Sequence, residues 1–383
     1  MEYRLKEILQ DKGYIRGPFG SSLKRNELKS TGIPVYEQQH AIYATREFRY
    51  YIDEEKYSQM KRFTVKPKDL IISCSGTIGK VDLISEKDPI GIISQALLIL
   101  RANTDIVLPE YLFYFLKSDY GYNSIISRSM GSVQVNIAKR EVIENIKINI
   151  PSLKEQEKIV KILSNIDEKI KLNNQINDNL FKIGDQLYFE NFDKYKKELP
   201  DGYRIVKLGD AVSNYDSKRN PMSRRERELH QGLYPYYGAT SIIDYVDDYI
   251  FDDTYLLMGE DGTVKTDEGY PVLQYIWGKN WINNHAHVLK GEKISTEFLV
   301  FALRKINIES MITGAVQPKI NQENMNKIEF VIGTESKNRE YENIFTNIMN
   351  KYKNIIEENK RLEQLRDILL PKLMNGEINL DKI

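Results

Sequence analysis

The feature that most constrains this chain is an internal repeat, because two ordered copies of one motif series require two similarly folded halves. The matched stretches, in order, are EYRLKEIL with IVKLGDAV, DLIISCSGTIG with TYLLMGEDGTV, SQALLIL with NHAHVLK, PEYLFYFL with TEFLVFAL, and GSVQVNIAKREVIENIKI with GAVQPKINQENMNKIEFV. The offset is 203 residues between Tyr3 and Val206 and 182 between Ser164 and Thr346, and the offsets of the other matched stretches lie between these values. The sequence therefore predicts two copies of one fold.

Each copy reads as short β-branched or aromatic strands with Gly and Pro turns, followed by one long helix. The first helix starts in PSLKEQEKIVKIL (Pro151 to Leu163), where Ser152 and Glu155 form an S-x-x-E capping box. The second helix starts after Glu335. The predicted fold class is α+β, with two similar strand-rich domains of mixed α/β structure joined by two long helices.

Both predicted helices carry a seam with alternating steps of three and four residues, which is typical of a coiled coil. Asn177 and Asn359 occupy equivalent seam positions, and they either fix the helix register from a buried site or face solvent on a rotated seam. A helix from Ser152 to Tyr188 is roughly 50 Å long, so it needs a packing partner. The simplest partner is the other helix of the same chain.

Composition limits the kind of partner. The chain of 383 residues has 55 basic and 55 acidic side chains, so any nucleic-acid surface must be a local patch. Its one cysteine, Cys74, excludes an intramolecular disulfide and a cysteine-rich zinc site. No basic-then-apolar leader and no long uncharged apolar run is present, so we expect a cytoplasmic protein with no membrane partner.

Catalytic motifs are missing from the sequence. GTIGK (Gly76 to Lys80) lacks the glycine spacing of a phosphate loop, and Val81 stands where a magnesium-binding Ser or Thr is needed. His285 and His287 alternate along a predicted strand, but no further His or Cys lies at a zinc-ligand spacing, and we expect no metal. With no dinucleotide loop or nucleophile elbow either, the repeat favours a binding or scaffold role.

Two similar halves joined by helices of fixed length could read two patches of duplex DNA about 15 base pairs apart, since each base pair rises 3.4 Å. Donor and acceptor side chains gather in the predicted loops of both halves, as expected for phosphate and base contacts. The candidate DNA-binding residues are Ser21, Lys24, Arg25, Gln38, Gln39, His40, Thr77, Lys80, Gln134, Lys218, Arg219, Arg224, Arg225, Tyr237, Asn284, His285, Gln317 and Lys319.

Several motifs resemble the specificity subunit of Type I restriction-modification systems across essentially the whole chain. They are GPFGSSLK, GSVQVNIAKREVIENIKINIPSLKEQEKIVKILSNIDEKI, LPDGYRIVKLGD and LLPKLMNGEI. The resemblance implies two target recognition domains, each reading half of a bipartite site, separated by an antiparallel pair of the long helices. It also implies a non-catalytic subunit.

The resemblance further implies the partners. Two methyltransferase subunits that bind S-adenosylmethionine would dock on the helices, and restriction and translocase subunits that use ATP and magnesium would join them, so this chain itself would bind no cofactor. Gly17, Phe19, Gly20 and Ser21 match an entry loop of the first recognition domain. The predicted spacer and docking residues are Glu155, Gln156, Ile159, Leu163, Ile166, Asn177, Asn359, Leu362, Leu369 and Leu373. The second copy, GTESKNREY, lacks the Pro-Ser-x-x-Glu-Gln signal.

The predicted organisation is a first recognition domain over residues 1–150, a spacer helix over 151–190, a second recognition domain over 191–334 and a second spacer helix over 335–383. Two other functions remain possible from sequence alone. One is a coiled-coil adaptor that makes no DNA contact, and the other is a self-contained DNA-modifying enzyme.

Overall fold

The computed structural model describes residues 1–19, 22–126, 137–314, 317–378 and 380. The part before the first long helix is called the first half below. Its strands are β1 (Glu2–Arg4), β2 (Leu9–Arg16), β3 (Ile33–Tyr36), β4 (Tyr51–Ile52), β5 (Leu70–Ser73), β6 (Val81–Leu83), β7 (Ile92–Ile93), β8 (Leu97–Ala102) and β9 (Lys147–Asn149). Its helices are α1 (Gln38–Tyr43), α2 (Glu54–Met60), α3 (Pro109–Lys117), α4 (Asp119–Ile126) and α5 (Arg140–Glu144), and the long helix α6 (Leu153–Asn191) follows.

The part between the two long helices is called the second half. Its strands are β10 (Arg204–Lys207), β11 (Val212–Asn214), β12 (Gln231–Tyr237), β13 (Ile242–Val246), β14 (Phe251–Asp252), β15 (Tyr255–Gly259), β16 (Leu273–Ile276), β17 (Lys279–Ile282), β18 (Ala286–Gly291) and β19 (Glu329–Ile332). Its helices are α7 (Arg224–Leu229), α8 (Thr296–Leu303) and α9 (Gln322–Asn326), and α10 (Glu335–Met374) follows.

The two halves share one sheet topology. Each has a four-stranded antiparallel sheet, in the order β2-β8-β5-β6 or β11-β18-β15-β16, and a second sheet, which has three strands in the first half, β4-β3-β7, and four in the second, β13-β12-β17-β14. A two-stranded pair, β1-β9 or β10-β19, joins the start of each half to its end. The repeat read from the sequence is therefore a repeat of strand order.

The register of the central strands is also the same. In the first half Ile72 lies opposite Leu98, and in the second half Met258 lies opposite His287. A one-residue slip would turn every side chain to the other face of a sheet. By strand register Leu98 and His287 are therefore equivalent positions, one residue away from the match of SQALLIL with NHAHVLK, which sets His287 against Leu97. Cys74 and Glu260, two residues after Ile72 and Met258, are equivalent as well.

The chain divides into two compact units. One comprises Met1–Ile170 with Lys360–Ile383, and the other comprises Lys171–Asn359. In the first unit the core of the first half continues onto Ile159, Leu163 and Leu373 of the long helices. In the second unit the core includes Tyr188 of α6 and Phe345 of α10. The start of one long helix thus packs beside the end of the other in each unit, so the helices are antiparallel, as predicted.

The start of α6 has the predicted capping box. The Ser152 amide donates to Glu155 Oε2 at 2.9 Å, and the Glu155 amide donates to Ser152 Oγ at 3.3 Å. The start of α10 keeps the hydroxyl cap, because the Lys337 amide donates to Thr334 Oγ1 at 3.3 Å, and the Gly333 amide also donates to Asn338 Oδ1 at 2.9 Å. The decayed sequence signal of the second copy therefore reflects Lys337 in place of the glutamate that completes the box, and not loss of the cap.

The seam asparagines are buried in the second unit, so the solvent-facing alternative is wrong. Asn173 Nδ2 donates to Asn359 Oδ1, and Asn359 Nδ2 donates to Asn174 Oδ1, both at 2.8 Å. Asn177 is 6% exposed, and its Oδ1 has no hydrogen-bond partner among the described residues. These polar contacts favour one helix register at some cost in stability.

Among the described residues, no helix combines the length and apolarity that a membrane span requires.

Candidate nucleic-acid interface

An exposed turn follows the central strand of the large sheet in both halves. Gly76 forms the first turn with φ +63°, and Gly262 forms the second with φ +79°. A Cβ built on either glycine meets no atom within 4 Å, so both turns point into open space. The positive φ, rather than close packing, explains glycine at these positions.

In the first half, several predicted residues lie around the Gly76 turn. The Ser75 amide donates to Gln38 Oε1 at 3.1 Å, which ties the start of α1 to the turn. Thr77 and Lys80 are exposed, and Lys80 Nζ lies 4.9 Å from the centroid of the Tyr122 ring. Gln38, Thr77 and Lys80 therefore form one polar surface.

His40 does not belong to that surface, because its side chain is fully buried. The ring stacks on Phe48 at 4.5 Å between centroids, and Nε2 donates to the Glu47 carbonyl oxygen at 3.1 Å. Burial lowers the pKa of His40, against hydrogen bonds with Glu37 and Glu47 that raise it. His40 is a core residue, and we leave it out of the interface.

The predicted entry loop is described only in part, since Gly20 and Ser21 lie outside the described residues, as does Gln134. Gly17 sits against the main chain of the β7–β8 turn, where a Cβ would lie 2.0 Å from the Ser94 carbonyl oxygen. Phe19 is 85% exposed. Lys24 and Arg25 are exposed on a short 3₁₀ turn, and Gln39 Nε2 donates to the Glu47 carbonyl oxygen at 3.2 Å.

The second half carries a buried ionic network at the end of β18. Its centre is His287, which is 1% exposed and whose Nδ1 lies 2.6 Å from Asp216 Oδ2. The Nε2 atom lies 2.9 Å from the Ile320 carbonyl oxygen. Both ring nitrogens of His287 therefore lie within hydrogen-bond distance of an acceptor oxygen.

Arg219, predicted to contact DNA, is part of this network. Its Nη1 donates to Glu260 Oε2 at 2.6 Å and to the Ala286 carbonyl oxygen at 2.7 Å, and the side chain is only 12% exposed. Burial raises the pKa of Asp216, but hydrogen bonds from His287 and the Val288 amide lower it by a larger amount. The net pKa of Asp216 is therefore below its usual value. Arg219 therefore has a structural role.

Other predicted residues lie on the outer side of the network. His285 is exposed and its Nδ1 contacts Asp261 beside the Gly262 turn, while Lys319 Nζ lies 3.2 Å from Glu260 Oε1. Asn284 and Gln317 are exposed. The structure thus brings Asn284, His285 and Lys319 to the turn equivalent to the one that carries Thr77.

The basic run of the second half forms α7 and the turn before it. Arg224 is 87% exposed and pairs with Glu228 at 3.0 Å, while Arg225 is exposed on the same short helix. Lys218 is exposed, with its Nζ 5.0 Å from the Tyr215 ring centroid. Tyr237 is the last residue of β12. Its side chain is half-buried, and burial raises the pKa of Tyr237 to about 12. Lys218, Arg224 and Arg225 remain accessible.

One group of described residues has the ligand types of a metal site. Ligand atoms of Asp216, Glu260 and His287 lie within 4.8 Å of one another. However, Arg219 and Lys319 already supply positive charge to Glu260, and both nitrogens of His287 lie within hydrogen-bond distance of an oxygen of Asp216 or Ile320. Five mutually paired groups explain this cluster without a metal.

Sequence reasoning missed Asp216 and Glu260, which anchor this network. The Asp216–Arg219 spacing of three residues was a usable signal for a local ion pair. Glu260 follows directly on the buried strand β15, and a carboxylate there needs a nearby cation. The position of that cation depends on the approach of β11 to β18, which sequence does not reveal.

The predicted docking motifs meet in the first unit. Pro151, Glu155 and Ile159 line a cavity of about 520 Å³ together with Leu373 and Ile378. Lys158 Nζ also donates to the Leu380 carbonyl oxygen at 2.6 Å. The beginning of α6 and the end of α10 thus form one surface.

The other predicted spacer residues serve packing. Gln156 is fully buried, where its side chain accepts from the Leu108 amide at 2.8 Å and donates to the Ile106 and Pro151 carbonyl oxygens, so we leave it out of docking. Ile159, Leu163, Ile166 and Leu373 are buried, and Leu362 and Leu369 are half-buried.

Comparison with known proteins identifies the family of the chain. Residues 2–181 and 200–366 match the family described as Type I restriction modification DNA specificity domain. The MjaIX specificity subunit of Methanocaldococcus jannaschii is 23% identical over 358 residues, covering 83% of this chain and 81% of that protein. The HindI specificity subunit of Haemophilus influenzae is 22% identical over 373 residues, covering 75% and 81%.

Two further matches differ in extent. The Haemophilus influenzae protein S.HindORF215P is 35% identical over 121 residues, which are 31% of this chain and 30% of that protein. The S subunit of a Type-I restriction-modification system from M. genitalium has a similar fold, with a TM-score of 0.60 and 17% identity, and the match covers 97% of this chain and 95% of that one. With the duplicated fold, these matches show that the chain belongs to the family of Type I restriction-modification specificity subunits, which are non-catalytic.

Proposed function

We propose that each half is a target recognition domain and that together they read a bipartite duplex DNA site, with one half-site for each. The observation that carries this proposal is the pair of equivalent exposed turns at Gly76 and Gly262, each surrounded by accessible polar side chains. Such side chains can contact base edges, and the shared strand register gives both turns the same support.

The proposed contact residues fall into two groups. In the first half they are Lys24, Arg25, Gln38, Thr77 and Lys80, and in the second half they are Lys218, Arg224, Arg225, Asn284, His285, Gln317 and Lys319. Thr77→Ala with Lys80→Gln should relax recognition of one half-site, while Asn284→Ala with His285→Ala should relax only the other. Sequencing the DNA motif methylated by the assembled complex measures both, and loss of the same half-site from both variants would contradict the assignment.

We further propose that α6 and α10 set the spacing between the half-sites. α6 has 39 residues and α10 has 40, so each helix is roughly 60 Å long at 1.5 Å per residue. Removal of one heptad from each helix should shorten the preferred spacer between half-sites. An unchanged spacer in footprints of the assembled complex would reject this role.

Methyltransferase subunits are the proposed partners of the helix ends. The docking surface in the first unit is the cavity lined by Ile159, Leu373 and Ile378. Its counterpart in the second unit, about 630 Å³, is lined by charged side chains including Glu335, Arg339 and Glu342. The second position carries more charged side chains than the first, so one of the two should bind more tightly.

A charge placed in the first docking surface tests this proposal. Ile378→Asp should reduce co-purification of the methyltransferase, because it puts a carboxylate among apolar side chains. Leu229→Asp is the matched control, since Leu229 is 77% exposed on α7, far along the chain from the helix ends. Equal binding by both variants would remove this surface from the interface.

In this proposal S-adenosylmethionine is held by the methyltransferase subunits, and ATP and magnesium are held by restriction and translocase subunits, in the cytoplasm. An adaptor without DNA contact would give no footprint in any assembly. A self-contained enzyme would instead methylate or cleave DNA when this chain is incubated alone with S-adenosylmethionine or Mg²⁺.

A further inference from the structure

A cationic groove runs along the edge strand β2 of the first half, apart from the Gly76 turn. It is defined here by Lys12, Lys61, Arg62, Lys66, Arg101 and Arg140, and it encloses about 590 Å³. Asp11 is the one acidic side chain among its described lining residues. None of these cations belongs to the candidate interface described above.

Most of this positive charge is available to a ligand. Arg101 is neutralised by Asp69 at 2.7 Å, and Arg140 pairs with Glu144 at 2.7 Å. Lys12, Lys61 and Lys66 are exposed, and within the described part of the chain no carboxylate lies within ion-pair distance of them. The groove therefore has a net positive charge that its own acids do not balance.

The backbone is specialised to present Lys12. The pairing of β2 with β8 shifts register between Leu9 and Tyr14, and Lys12 lies in this bulge with φ +58°. The left-handed region is uncommon for a lysine, and bulges commonly redirect a side chain. Gly13 beside it cannot carry a side chain, because a Cβ would lie 2.6 Å from the Arg101 carbonyl oxygen.

The described residues of the second half lack this cluster of cations at the equivalent place. The segment before β5 contains Lys61, Arg62, Lys66 and Lys68, whereas the segment before β15 contains Asp247, Asp248, Asp252 and Asp253. The bulge is missing as well, since only Ser213 separates the residues of β11 that match Leu9 and Tyr14. The positive charge is therefore a property of one half and not of the fold.

We propose that this groove binds backbone phosphates of duplex DNA, so that the first half supplies most of the sequence-independent attraction. The inference rests on the proposed DNA-binding function and adds a set of contacts that position DNA without reading its sequence. An acidic surface at the matching place on the second half would repel phosphates. The complex should therefore hold its two half-sites with unequal electrostatic strength.

The test compares salt dependence of binding in the reconstituted complex, using a fluorescent duplex of random sequence and one with the methylated motif. Lys12→Gln with Lys61→Gln and Lys66→Gln should make the slope of log affinity against log salt shallower by about 2 to 3, since each lost phosphate contact removes about 0.9. Affinity near 0.1 M salt should fall on the order of 100-fold for both duplexes. Preference for the motif should persist.

Lys6→Gln with Lys87→Gln and Lys197→Gln is the matched control, because these lysines are exposed, lie outside the groove and remove the same charge. The double variant Lys61→Gln with Lys66→Gln leaves the bulge intact and should give about two thirds of the effect. An equal slope change in groove and control variants would overturn the inference.

Two other results are also decisive. Weaker methyltransferase assembly with an unchanged salt slope would identify the groove as a protein interface and overturn the inference. Failure of the unaltered complex to bind either duplex would reject the proposed function itself, whereas normal binding by the groove variants rejects only this site.

Discussion

Leu98 and His287 occupy the same place in matched strands, yet their surroundings have opposite chemistry. Leu98 lies among apolar side chains, and Cys74 belongs to the same core. The residue paired with Leu98 on the neighbouring strand β2 is Arg16. His287 lies in a network of ions. One backbone register therefore accepts either an apolar centre or a balanced ionic one.

Where each half meets the long helices, the first half makes the polar contact and the second half makes the apolar one. Tyr114 of α3 and Phe301 of α8 are equivalent positions in the repeat. The Tyr114 hydroxyl donates to Asp167 Oδ2 at 2.8 Å, and Arg366 Nη1 donates to Asp167 Oδ1 at 3.0 Å. Phe301 instead packs on Phe345 and against Gly184. Each unit thus has a polar cluster. In the first unit it lies between α3 and the long helices, and in the second unit it lies at the large sheet.

Replacement of the buried His287 should cause the largest loss of stability. His287→Leu makes the second half resemble the first, but it removes the hydrogen bond to the largely buried Asp216 carboxylate, which among the described residues keeps only Arg219 at 3.5 Å as an ionic partner. The substitution should therefore cost about 1 to 3 kcal/mol of unfolding free energy. Denaturant unfolding of the full chain measures this loss. His285→Leu is the control, with an expected change within about 0.5 kcal/mol because His285 is exposed. Equal costs would show that the network is dispensable.

A loss no larger than this is expected at the helix contact of the second unit. Gly184→Ala should destabilise by about 1 to 3 kcal/mol, because the added Cβ would lie 2.1 Å from Phe301 Cε1. Thermal unfolding gives the loss. Phe301→Leu in the same chain should restore part of it, since the smaller side chain makes room, and absence of any rescue would contradict this explanation.

As the pH falls, the first half should lose stability before the second half does. Burial lowers the pKa of His40 below its ordinary value of 6.5, so the unfolded chain binds the proton first and the first half loses stability as pH falls below about 6.5. Asp216 has a lowered pKa, so its contribution persists until pH falls below the usual carboxylate range. His40→Gln should flatten the decrease between pH 7 and 5, measured by unfolding at each pH. Asp216→Asn should leave that interval unchanged.

The smallest effect should come from the helix seam. Asn177→Leu removes a buried carbonyl oxygen that has no hydrogen-bond partner among the described residues, so stability should rise by up to about 1 kcal/mol. Ile166→Val in the apolar seam of the first unit is the comparison and should lower it by about 0.5 to 1.5 kcal/mol. A loss on Asn177→Leu would indicate that this asparagine is needed for the helix register.

The fold could be predicted from the sequence because the repeat, the Ser152–Glu155 capping box and the helical seam are local or periodic signals. The site residues stay a prediction, and the sequence alone did not tell which of them are exposed. Thr77, Asn284 and His285 lie on accessible turns, whereas His40, Gln156 and Arg219 proved to be structural because their partners are distant in sequence. Burial depends on which strands meet, and residue type alone did not distinguish these two groups.

The empty space around Gly76 and Gly262 bears on how such a protein can diverge. A substitution at either tip meets no neighbouring atom, so its cost is limited to the left-handed backbone, about 1 to 2 kcal/mol for most residues and less for Asn or Asp. The sheets below need no repacking when a tip changes. Selection can therefore vary these two positions independently of each other while the strands beneath them are inherited unchanged.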